Sequence, residues 1–108
     1  MKGVHKNQEE MDRAIAAIWQ KYRPLNLERK QALERVAAAL LDGSTTPELL
    51  AQGEMEAHRI AGAAGSFGYQ DISKMARELE SRLTLPSASI DATFFQKEVA
   101  RLREMLGL

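Results

Sequence analysis

The stretch from Glu54 to Glu80 reads EMEAHRIAGAAGSFGYQDISKMARELE and contains one histidine, His58. Each residue of an α-helix turns by about 100° around the axis. On such a helix the apolar side chains form one stripe, and His58 points away from that stripe, toward water. The stripe predicts that one face of this helix lies in a core. Its members are Leu49, Ile60, Ala63, Ala64 and Phe67.

The residues that surround His58 on the predicted helix are small. Helical side chains three, four or seven positions apart are neighbours, and for His58 these are Met55, Ala61, Gly62 and Gly65. A glycine inside a helix costs about 1 kcal/mol relative to alanine. Two glycines beside an exposed imidazole therefore indicate a surface that another molecule approaches closely. A close crossing with a neighbouring helix is the other interpretation, and it predicts a shielded His58.

Composition restricts the class of protein. The chain has 108 residues, the length of one domain, and its 15 basic residues equal its 15 acidic residues. Nucleic acid, which favours a basic surface, is therefore not an expected partner. The chain has no cysteine and only two histidines, far apart, so it offers neither disulfides nor a metal site. No run approaches the roughly 20 apolar residues that span a bilayer, so we expect a cytoplasmic protein without membrane contact.

Helical periodicity and end signals predict five helices. The first begins near Gln8, after residues 1–7, which we expect to be flexible. Pro24 ends it, because proline disfavours a helical residue before it. Asn26 is the predicted N-cap of the second helix, and Gly43 follows the end of that helix.

The remaining boundaries follow from similar signals. Thr46 is the predicted N-cap of a third helix, which runs from Pro47 to about Gly65 and includes an unexplained glycine, Gly53. Asp71 is the predicted cap of the fourth helix. The fifth begins near Ser89 or Asp91 and runs to Leu106.

Five helices with short connections and no strand signal predict an all-α fold. We expect an antiparallel up-down four-helix bundle with an additional N-terminal helix across one end, in a single domain over residues 1–108. The predicted core comprises Ile18, Trp19, Val36, Leu40, Ile60, Phe67, Met75, Leu79, Phe95, Val99 and Leu102.

The histidine segment resembles the centre of a histidine phosphotransfer (HPt) domain. The likeness lies in His58 with Gly62 four residues later, within HRIAGAAGSFG, and in the Leu79-Glu80 pair of the next helix. It implies that His58 accepts a phosphoryl group from a receiver-domain aspartate or a sensor kinase and passes it to another receiver. The implied role is that of a phosphocarrier rather than an enzyme, and of a monomer.

The resemblance also implies partners and supporting residues. The expected partners are a response-regulator receiver domain, a hybrid sensor histidine kinase, or both. The chain needs no cofactor of its own, because Mg²⁺ is expected on the receiver. Glu80 falls where the family often has a polar side chain that faces the histidine, so it is expected to orient the imidazole.

One position departs from the family pattern. Many members carry lysine or arginine three residues after the histidine, where this chain has Ala61. Positive charge near a phosphoryl group would then come from Arg59, or from Arg77 or Lys74 on the next helix.

Two further alternatives stay open at this point. The chain could be an HPt-like docking module that binds a receiver or kinase without carrying phosphate. Met55 and Ala51 could form the rim of the docking surface, with Gly62 and Gly65 at its centre, or they could be surface residues without a role.

Overall fold

Helices form almost the whole chain. The structure, a computed structural model, describes residues 2–108, with side chains described from residue 7 onward. Its helices are α1 (Lys2–Lys21), α2 (Arg23–Asp42), α3 (Pro47–Ser66), α4 (Gln70–Arg82) and α5 (Ala92–Met105), and a short 3-10 turn spans Ser87–Ser89. Helices α2 to α5 form an antiparallel up-down bundle in which each helix packs against its two neighbours. The predicted fold class is confirmed.

The core lies between these four helices. Phe95, Leu33 and Ile60 are completely buried at its centre, together with Leu79 and Leu102. Most of the predicted core is correct, although Leu40, Phe67 and Met75 are only partly buried against it. Ile18 was predicted to lie in the core, and this is wrong because 46% of its surface is exposed.

The junction between α1 and α2 differs from the prediction. Only Tyr22 separates the two helices, and its backbone is itself helical, with φ −80° and ψ −8°. Pro24 therefore ends α1 without forming a loop, because proline is tolerated in the first turn of a new helix. Asn26 is consequently not an N-cap; it lies inside α2 and is 3% exposed.

The start of α1 also differs. The helix begins at Lys2 rather than near Gln8. Met1 lies outside the described residues, and the flexibility expected for residues 1–7 stays a prediction. At its other end, α1 contacts the bundle through Trp19, whose ring lies 5.4 Å from the Phe67 ring and 5.0 Å from the Tyr69 ring. The other side chains described for α1 are not buried, so only the C-terminal end of this helix packs on the end of the bundle, and the helix does not lie across it.

Capping determines the other helix ends. The Thr46 hydroxyl accepts from the Leu49 N–H at 3.1 Å, and the Asp91 carboxylate accepts from the Phe94 N–H at 3.0 Å. The predicted N-cap Thr46 is therefore confirmed, and Asp91, one of the two predicted starts of the fifth helix, is the N-cap of α5. Gly43 has φ +76°, the left-handed conformation in which glycine commonly ends a helix. Asp71 is not a cap, because α4 begins at Gln70 and Asp71 lies in its first turn.

Gly53, which the sequence left unexplained, lies where α3 packs tightly against α2 and the residue that follows α4. A Cβ atom at this position would lie 2.7 Å from Val36 Cγ2 on α2 and 3.2 Å from Leu83 Cδ1 just after α4. Any side chain at this position would force Val36 to shift. The glycine thus lets α3, the histidine helix, pack tightly into the bundle.

Within residues 2–108, no helix combines the length and the apolar character that crossing a membrane requires.

Candidate functional site: the histidine face of helices α3 and α4

His58 projects from the middle of α3 into solvent. Its side chain is 74% exposed, while Ala57 and Ile60 beside it are completely buried. The helix is held against α4 by a buried hydrogen bond of 2.9 Å, in which the Ser73 hydroxyl donates to the Ala61 carbonyl. The backbone that carries the imidazole is therefore fixed to α4 within one turn of His58.

Glu80 of α4 contacts the ring. Its Oε2 atom lies 2.8 Å from His58 Nδ1, and its side chain is 26% exposed. An ionised carboxylate can only accept hydrogen bonds, so a neutral ring must carry its hydrogen on Nδ1 to make this contact. The lone pair then lies on Nε2, the nitrogen that faces away from Glu80.

The two glycines near His58 have different surroundings. A Cβ atom on Gly62 would meet no other atom within 4 Å, so this position is open. A Cβ atom on Gly65 would lie 3.3 Å from Ser73 Oγ and 3.8 Å from Arg77 Nη2. Gly65 thus belongs to the contact between α3 and α4, as the helix-crossing interpretation predicts. Gly62 instead lies on the open surface beside the exposed histidine.

Ala61 does not contribute to the exposed surface. It is only 4% exposed, and its backbone carbonyl accepts the hydrogen bond from Ser73 of α4. The position three residues after the histidine therefore lies inside the contact between the two helices.

Arg59 is directed away from His58. Its Nη1 atom lies 2.6 Å from Glu56 Oε1, and the same carboxylate lies 3.8 Å from Arg29 Nε of α2. Glu56 is therefore placed between two guanidinium groups on the α2 side of the helix. The sequence suggested that Arg59 could reach around to the histidine, and the structure shows it engaged elsewhere.

Met55 and Arg77 complete the exposed face. Met55, one turn before His58, is 53% exposed. Arg77 precedes Glu80 by one turn of α4, is exposed, and extends toward Gly65. The structure thus brings Met55, His58 and Gly62 of α3 together with Arg77 and Glu80 of α4, and it leaves Arg59 and Ala61 outside this surface.

Sequence reasoning missed Ser73, which fixes α3 to α4 near His58, and Glu56, which holds Arg59 away from the ring. Ser73 is completely buried. A small polar residue next to the apolar stripe of a helix can indicate a buried hydrogen bond to a neighbouring helix, like that of Ser73 to Ala61. The pairing of Glu56 with Arg59, three residues later on the same helix, could have been read from the sequence, whereas its contact with Arg29 of α2 could not.

Comparison with known proteins supplies a family. The family model described as the Hpt domain matches residues 17–107, which is most of the chain. No significant match was found among curated proteins or solved structures. The matched range covers α2 to α5 completely, together with His58 and Glu80. The chain belongs to the Hpt domain family, whose members serve as phosphocarrier modules in phosphorelays.

Proposed function

We propose that the protein is a phosphorelay intermediate that carries a phosphoryl group on His58. The observation that supports this proposal best is the exposed imidazole whose Nδ1 atom lies 2.8 Å from Glu80 Oε2. This contact leaves Nε2 as the free nucleophile. The open surface at Gly62 supports the proposal further, because a partner must approach within bonding distance of the ring.

The proposed step is a direct transfer between two side chains. The Nε2 lone pair attacks the phosphorus of an aspartyl phosphate on a receiver domain, or, on a kinase, the phosphorus of a phosphohistidine or the γ-phosphorus of a bound nucleotide. A nitrogen–phosphorus bond forms while the bond to the donor atom breaks, and the donor leaves with that electron pair. Glu80 accepts the Nδ1 hydrogen throughout and stabilises the positive charge that develops on the ring. The reverse reaction with a second receiver aspartate regenerates the neutral imidazole.

Most of the catalytic groups would belong to the partner. Phosphoryl transfer is accelerated chiefly by positioning and by cations that neutralise the equatorial oxygens. In this proposal a receiver domain supplies a Mg²⁺ ion and its own basic residue, while this chain supplies the nucleophile and a surface that fits over the acidic pocket. The chain then acts stoichiometrically and not as an enzyme, in the cytoplasm where such partners would meet it.

Phosphorylation assays with the two histidines of the chain test the proposal. The protein is incubated with a radiolabelled phosphoreceiver or with a kinase and ATP, and label is followed on the chain. We expect acid-labile, base-stable label on the wild type and none on His58→Gln. His5→Gln is the matched control, because His5 is the only other histidine. Label that survives in His58→Gln, or that disappears in His5→Gln, would contradict the assignment of the nucleophile.

A docking module without phosphate is the second candidate. The features that favour it are Ala61, which offers no positive charge, and Arg59, which is held by Glu56 2.6 Å away. Fewer cations near His58 would hold a phosphoryl group less firmly. Tight binding of a receiver or kinase to the wild type, with no label transferred under conditions that label another Hpt domain, would establish this alternative.

A further inference from the structure

Glu56 lies between two arginines that differ in exposure. Its Oε1 atom accepts from Arg59 Nη1 at 2.6 Å, and its Oε2 atom lies 3.8 Å from Arg29 Nε. The side chains of Glu56 and Arg29 are only 13% and 14% exposed, whereas that of Arg59 is 51% exposed. The carboxylate is thus fixed at the contact between α2 and α3, and Arg59 is the partner that can leave it.

Arg29 has unused hydrogen-bonding capacity on the inner side of this group. Its Nε and Nη1 atoms are buried and have no hydrogen-bond partner among the residues that the structure describes. Buried N–H groups without partners are unfavourable, so a carboxylate that moves closer to Arg29 is stabilised there. Glu56 therefore keeps a charged partner when Arg59 departs, which lowers the free-energy cost of releasing Arg59.

The bond between Arg59 and Glu56 is itself a weak one. The two residues are three positions apart on one helix, and half-exposed ion pairs of this kind contribute little to stability. A phosphoryl group on His58 would carry about two negative charges and three acceptor oxygens. Arginine binds such a group through two parallel hydrogen bonds. The phosphoryl group is therefore a strong competitor for Arg59.

Arg59 is also the arginine best placed to reach this group. It follows His58 directly in α3, so the two Cα atoms are about 3.8 Å apart, although their side chains leave the helix about 100° apart. A phosphoryl group on Nε2 extends the short imidazole outward, to where the long arginine side chain can reach it. Arg77 is less well placed, because its guanidinium lies beside Gly65, seven residues and about 10 Å along α3 from His58.

We propose that phosphorylation of His58 makes Arg59 exchange its partner. Arg59 leaves Glu56 and binds the phosphoryl oxygens, while Glu56 stays with Arg29. The exchange supplies the positive charge that Ala61 does not provide. This inference rests on the proposed function, because it describes how the same site holds the phosphoryl group.

Phosphorus NMR of the chemically phosphorylated chain tests the exchange without any partner protein. Phosphoramidate transfers its phosphoryl group to the imidazole and releases ammonia, and a His5→Gln background limits this reaction to His58. Titration of the phosphorus signal gives the second pKa of the phosphoryl group, which a neighbouring cation lowers. We expect Arg59→Gln to raise this pKa, with an increase in proton affinity of about two- to fivefold, the range of a half-exposed ion pair.

Arg77→Gln is the matched control for the loss of one positive charge. It removes an exposed arginine from the histidine face of α4 and should raise the phosphoryl pKa less than Arg59→Gln does. Glu56→Gln should lower the pKa, because Arg59 then has no carboxylate to leave. Since the loss of any nearby negative charge has the same sign, Glu56→Gln is repeated in the Arg59→Gln background, where we expect little change.

Arg29→Gln tests the other half of the exchange. Without Arg29, the release of Arg59 would leave Glu56 unpaired, so the phosphoryl pKa should rise. In the Glu56→Gln background the same substitution should have a much smaller effect, because no carboxylate then needs a partner. The thermal midpoint of each variant checks folding, since Arg29 is mostly buried.

Two results would overturn the exchange and leave the proposed function intact. One is a phosphoryl pKa that Arg59→Gln does not raise, or that Arg77→Gln raises as much. The other is an effect of Glu56→Gln that is equally large with and without Arg59, because this would be simple charge repulsion. If phosphoramidate leaves His58 unlabelled, the proposed nucleophile is itself contradicted, and the exchange is rejected together with the proposed function.

Discussion

At the scale of single residues, one hydrogen bond determines which nitrogen of His58 can react. The carboxylate of Glu80 takes the hydrogen of Nδ1 at 2.8 Å, so the lone pair lies on Nε2. The pair is solvated, because His58 is 74% exposed and Glu80 26% exposed. Glu80 is therefore expected to orient and assist the ring and to contribute little to folding.

We expect Glu80→Ala to slow phosphoryl transfer roughly tenfold, because a partner that orients a reactive imidazole typically contributes one to two orders of magnitude. Glu80→Gln should lose less, since its amide oxygen still accepts the Nδ1 hydrogen. Rates of labelling from a phosphoreceiver, with the thermal midpoint of each variant as a control for folding, measure both effects. Equal rates for Glu80→Ala and the wild type would show that Glu80 has no role in transfer.

A second residue-scale prediction concerns the open surface beside His58. Gly62→Glu should leave the fold intact, because a side chain at this position meets no atom within 4 Å of its Cβ. It should nevertheless abolish transfer, because bulk and negative charge would meet the acidic pocket of a receiver. Gly62→Gln has the same bulk without the charge and separates the two causes. Normal transfer by Gly62→Glu would mean that partners do not approach over this glycine.

At the scale of the helices, glycines on one helix serve opposite purposes. Gly53 lets α3 pass close to Val36, whereas Gly62, nine residues later, opens the surface beside His58. Both positions carry the same intrinsic cost in a helix of about 1 kcal/mol. The surroundings of each glycine therefore determine whether an added methyl group raises or lowers the stability of the protein.

We expect Gly53→Ala to destabilise the protein by about 1–3 kcal/mol, because its Cβ would lie 2.7 Å from Val36 Cγ2 in a core that cannot expand freely. Gly62→Ala, on the same helix, should instead raise stability by up to about 1 kcal/mol. Urea denaturation followed by circular dichroism measures both changes. If Gly53→Ala left stability unchanged or raised it, the close crossing at Gly53 would not exist.

At the scale of the whole molecule, stability depends on a narrow core between four helices. The Phe95 side chain of α5 is completely buried at its centre. Its neighbour Phe94 is 45% exposed on the outside of the same helix, where the Arg82 guanidinium lies 4.6 Å from its ring centre. Adjacent residues of the same type thus occupy opposite environments.

Phe95→Ala should cost about 3–5 kcal/mol, because it removes a large side chain from a close-packed core and leaves a cavity. Phe94→Ala should cost about 1 kcal/mol or less, mainly through loss of the contact with Arg82. The unfolding free energies of the two variants, obtained from urea titrations, test this contrast. Comparable losses would indicate that α5 is not held in the orientation described.

Local chemistry was sufficient to predict much of this protein. The periodicity of apolar residues predicted the helices and the exposed His58, Thr46 was recognised as a cap, and Asp91 as a possible start of the fifth helix. These features depend on residues within one or two turns of each other, so a single sequence contains all the information they need. The contact between His58 and Glu80 was expected only from the family resemblance, because these residues are 22 positions apart.

Contacts between distant residues decided the rest. Asparagine is a common N-cap residue, yet Asn26 is buried inside α2. The reason is that α2 begins directly after Tyr22, without an intervening loop. Arg59 pairs with Glu56 of its own helix, and the contact of Glu56 with Arg29 places this group on the α2 side of the bundle, away from His58. Gly53 and Gly62 are the same residue type on the same helix, and only the packing of α2 and α4 around α3 makes one a close contact and the other an open surface. A sequence specifies which faces its helices present, whereas the way in which those faces meet is settled by the packing of all of them together.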